Sequence, residues 1–504
     1  MGKEKDMVDP TIFGIVGLSI TLLIIALYLT DKVKYFSKAR AMTAPAFALT
    51  IIPAFYTVFG TSYQIDLMAS EGVSQWWYYA VSWYVAYALG IVLGGMIRST
   101  GNHLTLPDRF AKYGAGSEFL SSVVSFLYLM PLDVMLMLGV MGTLLVSDVP
   151  FEMLVLVLGV FLIAYTALKG WSGYSIAGIL YFVFMALGIG VTSIMLVEVA
   201  GGWGTIASTV NPNMLQPWFT DFSGFLKGLS NPATLIWFLM GFSFIIDPMV
   251  WQRFSLTESD RAVRRGMVYA IIFWVIFDLA TVFSGLAVAS LGIGGYLDTA
   301  LTLPSMWAGL IIAGNLMVAL AGGSAYLHAG GMIFSQNLAK SFGLVRPDTL
   351  SSSKVAEKWY QIGVFLLGGM TILITLILNV LIPEAPTTMA WLIVSGLLVG
   401  GLMWSLIFGG LLFREKIEKG RWYQRIVVPK EAVKYSILFG LSTTLVLMIY
   451  GLLFPTATSV LTLGITPQTA SGTPYVDASR VIGLLASIVG WIFGYVLHII
   501  KRGG

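Results

Sequence analysis

The sequence predicts an all-helical integral membrane protein with about 13 transmembrane helices, and three observations predict it. Hydrophobic residues make up 57% of the chain and charged residues only 11%, whereas about a quarter of the residues in a soluble domain carry charge. Apolar runs that approach or exceed the roughly 20 residues needed to cross hydrocarbon recur thirteen times. Twenty-five of the 29 Lys and Arg residues fall on alternate members of the connecting segments, and only Lys3, Lys5, Lys227 and Arg480 fall on the other set.

The first span, residues 11–30, holds no charged side chain and runs into the cationic stretch DKVKYFSKAR. It lacks a small-residue cleavage site and reads as a retained anchor. The second, 43–70, is apolar but interrupted: Pro53 removes a backbone donor, and Gly60, Thr61 and Ser62 weaken the helix. Spans follow at 76–97, 118–146, 150–168 and 173–199. In the seventh, 230–250, Gly241 and Ser243 break the apolar run before Asp247 and Pro248. The remaining spans are 266–294, 303–339, 358–382, 389–413, 433–453 and 481–500.

Positive charge collects on cytoplasmic loops. The inside set is then Lys32–Arg40, Arg98–Lys112, Lys169, Arg253–Arg265, Lys340–Lys358, Arg414–Lys434, and Lys501 with Arg502. The N-terminus is expected outside and the C-terminus in the cytoplasm of a plasma-membrane protein. Two outside segments, Ala200–Ser230 and Phe454–Arg480, are long and rich in Gly, Pro and Thr, as surface caps or short lids are.

Several chemistries are excluded. With no cysteine there is no disulfide, thiolate nucleophile or Cys-based metal site, and His103, His328 and His498 form no ligand-spaced pair. No phosphate-binding Walker loop occurs. The net charge of +4 follows the inward bias of basic residues and gives no reason to expect nucleic acid as a partner. No nucleophile and base dyad or organic-cofactor motif points to an enzyme. The expected partners are a small-molecule solute and the lipid bilayer; the oligomeric state stays open.

The two interrupted spans are five apart. A repeat with an odd number of spans reverses the direction in which each copy starts, so five plus five helices beginning at the second and seventh would form an inverted repeat. Such transporters hold substrate near the midplane, where interrupted helices leave backbone groups unpaired.

Four stretches carry a family resemblance: TLPDRFAKYG (Thr105–Gly114), YTALKGWSGYSIAGILYFVFMALG, DPMVWQRFSLTESDRAVRRG (Asp247–Gly266) and WAGLIIAGNLMVALAGGSAYLHAGGMIFSQNL. In this order, and with this span count, the chain resembles the sodium:solute symporters. The resemblance implies the leucine-transporter fold of two inverted five-helix repeats. The chain then divides into an extra N-terminal helix (1–42), a first repeat (43–199), a second repeat (230–413) and two C-terminal helices (433–504).

The departures bear on the coupling ion. In the family, sodium is held by backbone carbonyls of the broken second span and by adjacent hydroxyls on the ninth. Those hydroxyl positions fall here on Ala321 and Gly322. The supporting acidic residue of the sixth span aligns with Gly178, its Thr neighbour with Ala177, and the polar positions of the second span with Tyr56. The side chains of the usual sodium site are therefore missing, although a shifted register would let Ser324 supply one hydroxyl.

The ion-coupling or proton-coupling set is Ala54, Thr57, Asp133, Ser324 and His328. Ionisable groups inside a membrane cost roughly 2.5–3.5 kcal/mol each on insertion scales. Asp133, Asp278 and His328 therefore need a partner or a role, whereas Asp66, Glu71 and Asp247 lie nearer span ends. Asp133 is read as a carrier of protons, as a partner for a cationic substrate or as interhelical glue, and Asp278 as a structural contact. The substrate-binding candidates are Tyr56, Thr57, Gly60, Thr61 and Gln64 on the second span, with Met240, Phe242, Ser243 and Phe244 on the seventh.

The resulting expectation is a secondary active transporter working by alternating access. It would move a small polar organic solute, an amino acid or a carboxylate, with H+ or Na+ as coupling ion or with no coupling. The alternative on the same fold is a transport-deficient receptor, sensor or channel.

Overall fold

The computed structural model describes residues 9–30, 42–99, 104–146, 148–216, 221–345, 353–381, 387–407, 428–458 and 474–503. The basic stretch Lys32–Arg40, most of Arg414–Lys434, and residues 459–473 of the long segment Phe454–Arg480 lie outside the described residues. Among the described residues the chain is helical throughout, with one isolated bridge between Met42 and Thr257.

Helix α1 (Pro10–Leu29) opens on a proline at its first position, and the Asp9 carboxylate caps it by accepting from the Thr11 amide at 2.7 Å. Helix α2 (Ala44–Val58) ends in the break expected there. Thr57 takes φ 45° and ψ −170°, a π-helical turn follows over Phe59–Tyr63, and α3 runs over Gln64–Ser99. The arms 44–57 and 60–74 meet at 69°. A second kink in α3, at Gly72 (φ 75°), separates the short arm from the span Trp76–Arg98. A Cβ at Gly72 would stand 2.6 Å from the Met214 Cα, so glycine is needed for the conformation and for the space.

The fourth expected span is two helices, α4 (Ala115–Tyr128) and α5 (Leu132–Leu145), parted at Pro131. The fifth and sixth are continuous with one another in α6 (Phe151–Met185), kinked at Gly170, and extend through a π-helical turn into α7 (Thr192–Val199). Short helices α8 (Gly202–Thr209) and α9 (Phe222–Gly228) lie in the long segment Ala200–Ser230. The seventh span is three pieces: α10 (Pro232–Gly241), α11 (Ser243–Ile246) and α12 (Pro248–Leu256). The break before α12 is capped by Asp247, whose Oδ1 accepts from the Met249 amide at 2.6 Å and the Val250 amide at 3.3 Å.

Beyond it come α13 (Asp260–Leu291), α14 (Ser305–Ile333) with its extension α15 (Ala339–Ser341), α16 (Ser353–Leu381), α17 (Thr387–Leu398), α18 (Lys430–Leu453) and α19 (Pro474–Gly503). Ten of these segments are long and apolar enough to cross a membrane, and the bent second span makes eleven. The seventh and eleventh spans consist of shorter described helices, so length and composition alone stop short of the expected thirteen.

Helix α14 is the hub. It is buried from Ile311 to Phe334 and packs against α1, α2, α5, α6 and α16. Small residues permit this: a Cβ on Gly314 would stand 2.7 Å from the Gly188 Cα and 2.8 Å from the Phe184 carbonyl oxygen. The outer helices have the reverse character. Leu485, Val489, Ile492, Val496 and Ile499 form an exposed stripe on α19 at helical spacing, which water would penalise and lipid accepts. The chain is a multi-pass membrane protein.

Candidate functional site

The break in the second span exposes the turn from Thr57 to Gly60 to a cavity of about 480 Å³, its open mouth included. Phe55, Tyr56, Thr57, Gly60 and Gln64 form one wall. Gly60 is required here because a Cβ would stand 2.9 Å from the Tyr56 ring.

The later turns of α3 supply more of the lining. Tyr79, Trp83 and Tyr87 recur every four residues, which puts them on one helical face, and all three line the cavity beside Ala80. Trp83 meets Phe55 edge-on with centroids 5.3 Å apart and lies 5.9 Å from Tyr79 and 6.2 Å from Tyr87. Tyr128 from α4 and Tyr326 from α14 meet edge-on at 5.9 Å on the remaining side. Both hydroxyls donate to Asp247 Oδ2, at 2.6 Å and 3.3 Å. The capping carboxylate of the broken seventh span is thereby tied to the cavity wall.

Asp278, from the middle of α13, supplies the ionisable group of the lining. Its Oδ1 accepts from Tyr56 Oη at 2.9 Å and Gln64 Nε2 at 3.2 Å, and its Oδ2 from Tyr84 Oη at 2.5 Å. All three donors are neutral, and no Lys, Arg or His among the described residues lines the cavity. Asp278 joins α13 to both α2 and α3, as a structural contact would, and it also lines the cavity.

Of the substrate-binding candidates, Tyr56, Thr57, Gly60 and Gln64 lie on the cavity. Thr61, Met240, Ser243 and Phe244 are buried and Phe242 half-buried, outside the lining. Phe244 stands behind the wall, edge-on to Phe55 at 4.9 Å and to Tyr87 at 5.0 Å.

The coupling candidates separate into two places. A Cβ on Gly322 would stand 3.4 Å from the Ala54 carbonyl oxygen and 2.9 Å from the Thr57 methyl, so Gly322 faces the broken helix and brings no hydroxyl. Ser324 is turned back on its own helix, donating to the Leu320 carbonyl at 2.7 Å. Tyr165 Oη also reaches that carbonyl, at 2.9 Å, and lies 2.9 Å from Tyr181 Oη. Gly178 packs on α2, where a Cβ would lie 3.4 Å from the Leu49 carbonyl oxygen. Asp133 sits buried in the first turn of α5, with no hydrogen-bond partner for Oδ2 among the described residues. His328 Nδ1 is 2.8 Å from Tyr360 Oη. Neither Asp133 nor His328 lines the cavity.

The end of the bundle that carries Arg98, Lys112 and Lys340 is cross-tied. Asn337 Nδ2 donates to Asp108 Oδ1 at 2.8 Å and Glu118 Oε1 at 3.2 Å, Thr105 Oγ1 donates to Asn337 Oδ1 at 2.8 Å, and Lys340 pairs with Glu118. Deeper, buried Arg253 donates to Tyr174 Oη at 2.7 Å, and Tyr174 donates to the Thr50 carbonyl at 2.5 Å. The TLPD stretch is therefore a strap from Asp108 to the end of the hub helix.

No family model matches the chain. No curated protein sequence matches it either. Solved structures do. A substrate-bound, outward-open Na+-coupled sialic acid symporter is similar over 96% of this chain and 97% of its own, with a TM-score of 0.62 and 14% sequence identity. MhsT in complex with L-phenylalanine is similar over 90% of this chain and 99% of its own, with a TM-score of 0.51 and 12% identity. At such identities the likeness is one of fold, and the fold is the all-helical leucine-transporter architecture.

Proposed function

We propose that this chain is a secondary active transporter, related to the sodium:solute symporters, that moves a small organic solute by alternating access. The observation that carries the reading is the placement of the cavity. It lies against the non-helical turn at Thr57–Gly60, between a helix broken in the second span and tyrosines bound to the cap of the helix broken in the seventh. A solute bound there touches segments able to swing at their breaks, and the repeats 43–199 and 230–413 are the bodies that would rock.

The lining favours a solute with an apolar portion. A carboxylate alone would find no positive side chain on the cavity wall, and it would face Asp278; among the expected solutes the amino acid suits it better. For coupling, the alignment puts Ala321 and Gly322 at the family's hydroxyl positions, and the one nearby hydroxyl, Ser324, donates its hydrogen to the Leu320 carbonyl and supplies at most one ligand oxygen. Coupling to H+, or none, fits these residues better than Na+ at that place. The N-terminus is outside and the C-terminus cytoplasmic in this reading, because the basic loops then face inward.

The chain has no native cysteine, so Ala80→Cys places a single thiol on the cavity wall. A membrane-impermeant thiol reagent applied to vesicles of either orientation is expected to label it from both sides. Labelling from one side only, under every solute and gradient condition, would contradict alternating access.

A further inference from the structure

We infer that the cavity takes a compact organic ammonium, with Asp278 as its counter-ion and the rings of Tyr79, Trp83, Tyr87 and Phe55 as its box. The inference rests on the transporter reading only in making this cavity the substrate site.

Charge and geometry carry it. A carboxylate offers about four acceptor positions, and Tyr56, Gln64 and Tyr84 fill three around Asp278. These neutral donors hold the carboxylate in place without cancelling its charge, and the lining contains no cationic side chain that would. One acceptor position and one negative charge are left for whatever enters. The rest of the wall is aromatic. A ring attracts a cation within about 6 Å of its centroid, more strongly where water is excluded, and Tyr79, Trp83 and Tyr87 line the cavity that Asp278 also lines, with one face of Tyr87 stacked on Trp274. A neutral solute would gain the apolar contact alone. An anion would meet Asp278 in a medium where like charges repel strongly.

The test uses the full-length purified protein in lipid nanodiscs and two matched pairs: choline against 3,3-dimethylbutan-1-ol, and 2-phenylethylammonium against 2-phenylethanol. Each pair shares shape and differs in charge. Binding is read by calorimetry and by tryptophan fluorescence, because Trp83 lies on the wall. At least one ammonium is expected to bind ten times or more tightly than its neutral partner. In Asp278→Asn that preference should fall to less than twofold, and Asp278→Glu, which keeps the charge, should retain part of it. Wild-type protein alone decides the matter if Asp278→Asn does not fold. Equal binding within both pairs overturns the proposal, as does an ammonium preference that survives in Asp278→Asn. So does a melting shift produced by Na+ or by acid, lost in Asp278→Asn, with no response to either ammonium, because an inorganic cation or a proton would then be the partner.

No gradient is needed for this readout. Charge-selective binding without counterflow would remove the transport reading and leave the site. Counterflow of a neutral or anionic solute, undisturbed by Asp278→Asn, would remove the site and leave transport.

Discussion

The Tyr56 hydroxyl donates a 2.9 Å hydrogen bond to Asp278 Oδ1 across 222 residues of sequence. Tyr56 immediately precedes the non-helical Thr57, and Asp278 is mid-helix in α13. The bond therefore links the hinge of the second span to a continuous neighbour, and the cavity lies beside that link.

Tyr56→Phe keeps the ring and removes the donor. A hydrogen bond to a charged acceptor contributes about 1.5–3 kcal/mol, so the variant is expected to melt at a lower temperature than the native protein. Asp278→Asn weakens the same contact, and the double variant should lose less than the sum of the singles. Additive losses in a melting series would show that the two residues do not act through one bond.

Thr57 is the only non-glycine residue at positive φ among the described residues, and it is β-branched. Such a conformation costs about 1–3 kcal/mol, while glycine's extra freedom in the unfolded chain costs roughly 0.5–1 kcal/mol. Thr57→Gly should therefore raise the melting midpoint, whereas Thr57→Val, which keeps the β-branch, should not. A lower midpoint in Thr57→Gly would mean that the side chain contributes more than the backbone strain.

Gly314→Ala adds a methyl where α14 crosses Gly188, 2.7 Å from its Cα. Overpacking of this kind costs about 1–3 kcal/mol, occasionally more. A clear loss of thermal stability is expected. The same change at Gly14, where no atom lies within 4 Å, should be silent.

Topology is open to single thiols in the cysteine-free chain. Ser223 and Phe342 are both exposed, on segments assigned to opposite sides. On intact cells an impermeant maleimide should label Ser223→Cys and spare Phe342→Cys until the membrane is opened. The reverse pattern would invert the assigned orientation.

Much of this architecture was legible in the sequence because a bilayer imposes one-dimensional rules. Span length and loop charge are both read along the chain, and Pro53 with Gly60–Ser62 marked the break that Thr57 and the π-helical turn make. Four of the five second-span candidates reach the cavity because the break itself opens it. Asp278 read as structural, and its partners Tyr56, Gln64 and Tyr84 lie about 200 residues away in the sequence, where no local pattern shows them. The α3 wall was missed for a different reason. Aromatic residues are ordinary in a membrane span, and only the four-residue spacing of Tyr79, Trp83 and Tyr87 points to a shared face. Phe244 illustrates the converse, since its ring packs behind the wall against Phe55 and Tyr87. No local pattern separates a ring in the wall from a ring one layer behind.

The most direct test of the central claim is solute counterflow in proteoliposomes, with labelled amines, amino acids and carboxylates and with Na+ and pH gradients imposed separately. The account predicts counterflow of a positively charged or zwitterionic solute, driven by pH or by solute exchange alone and unchanged when K+ replaces Na+. Binding without counterflow would leave a receptor on this fold. Strict Na+ dependence would contradict the reading of Ala321, Gly322 and Ser324.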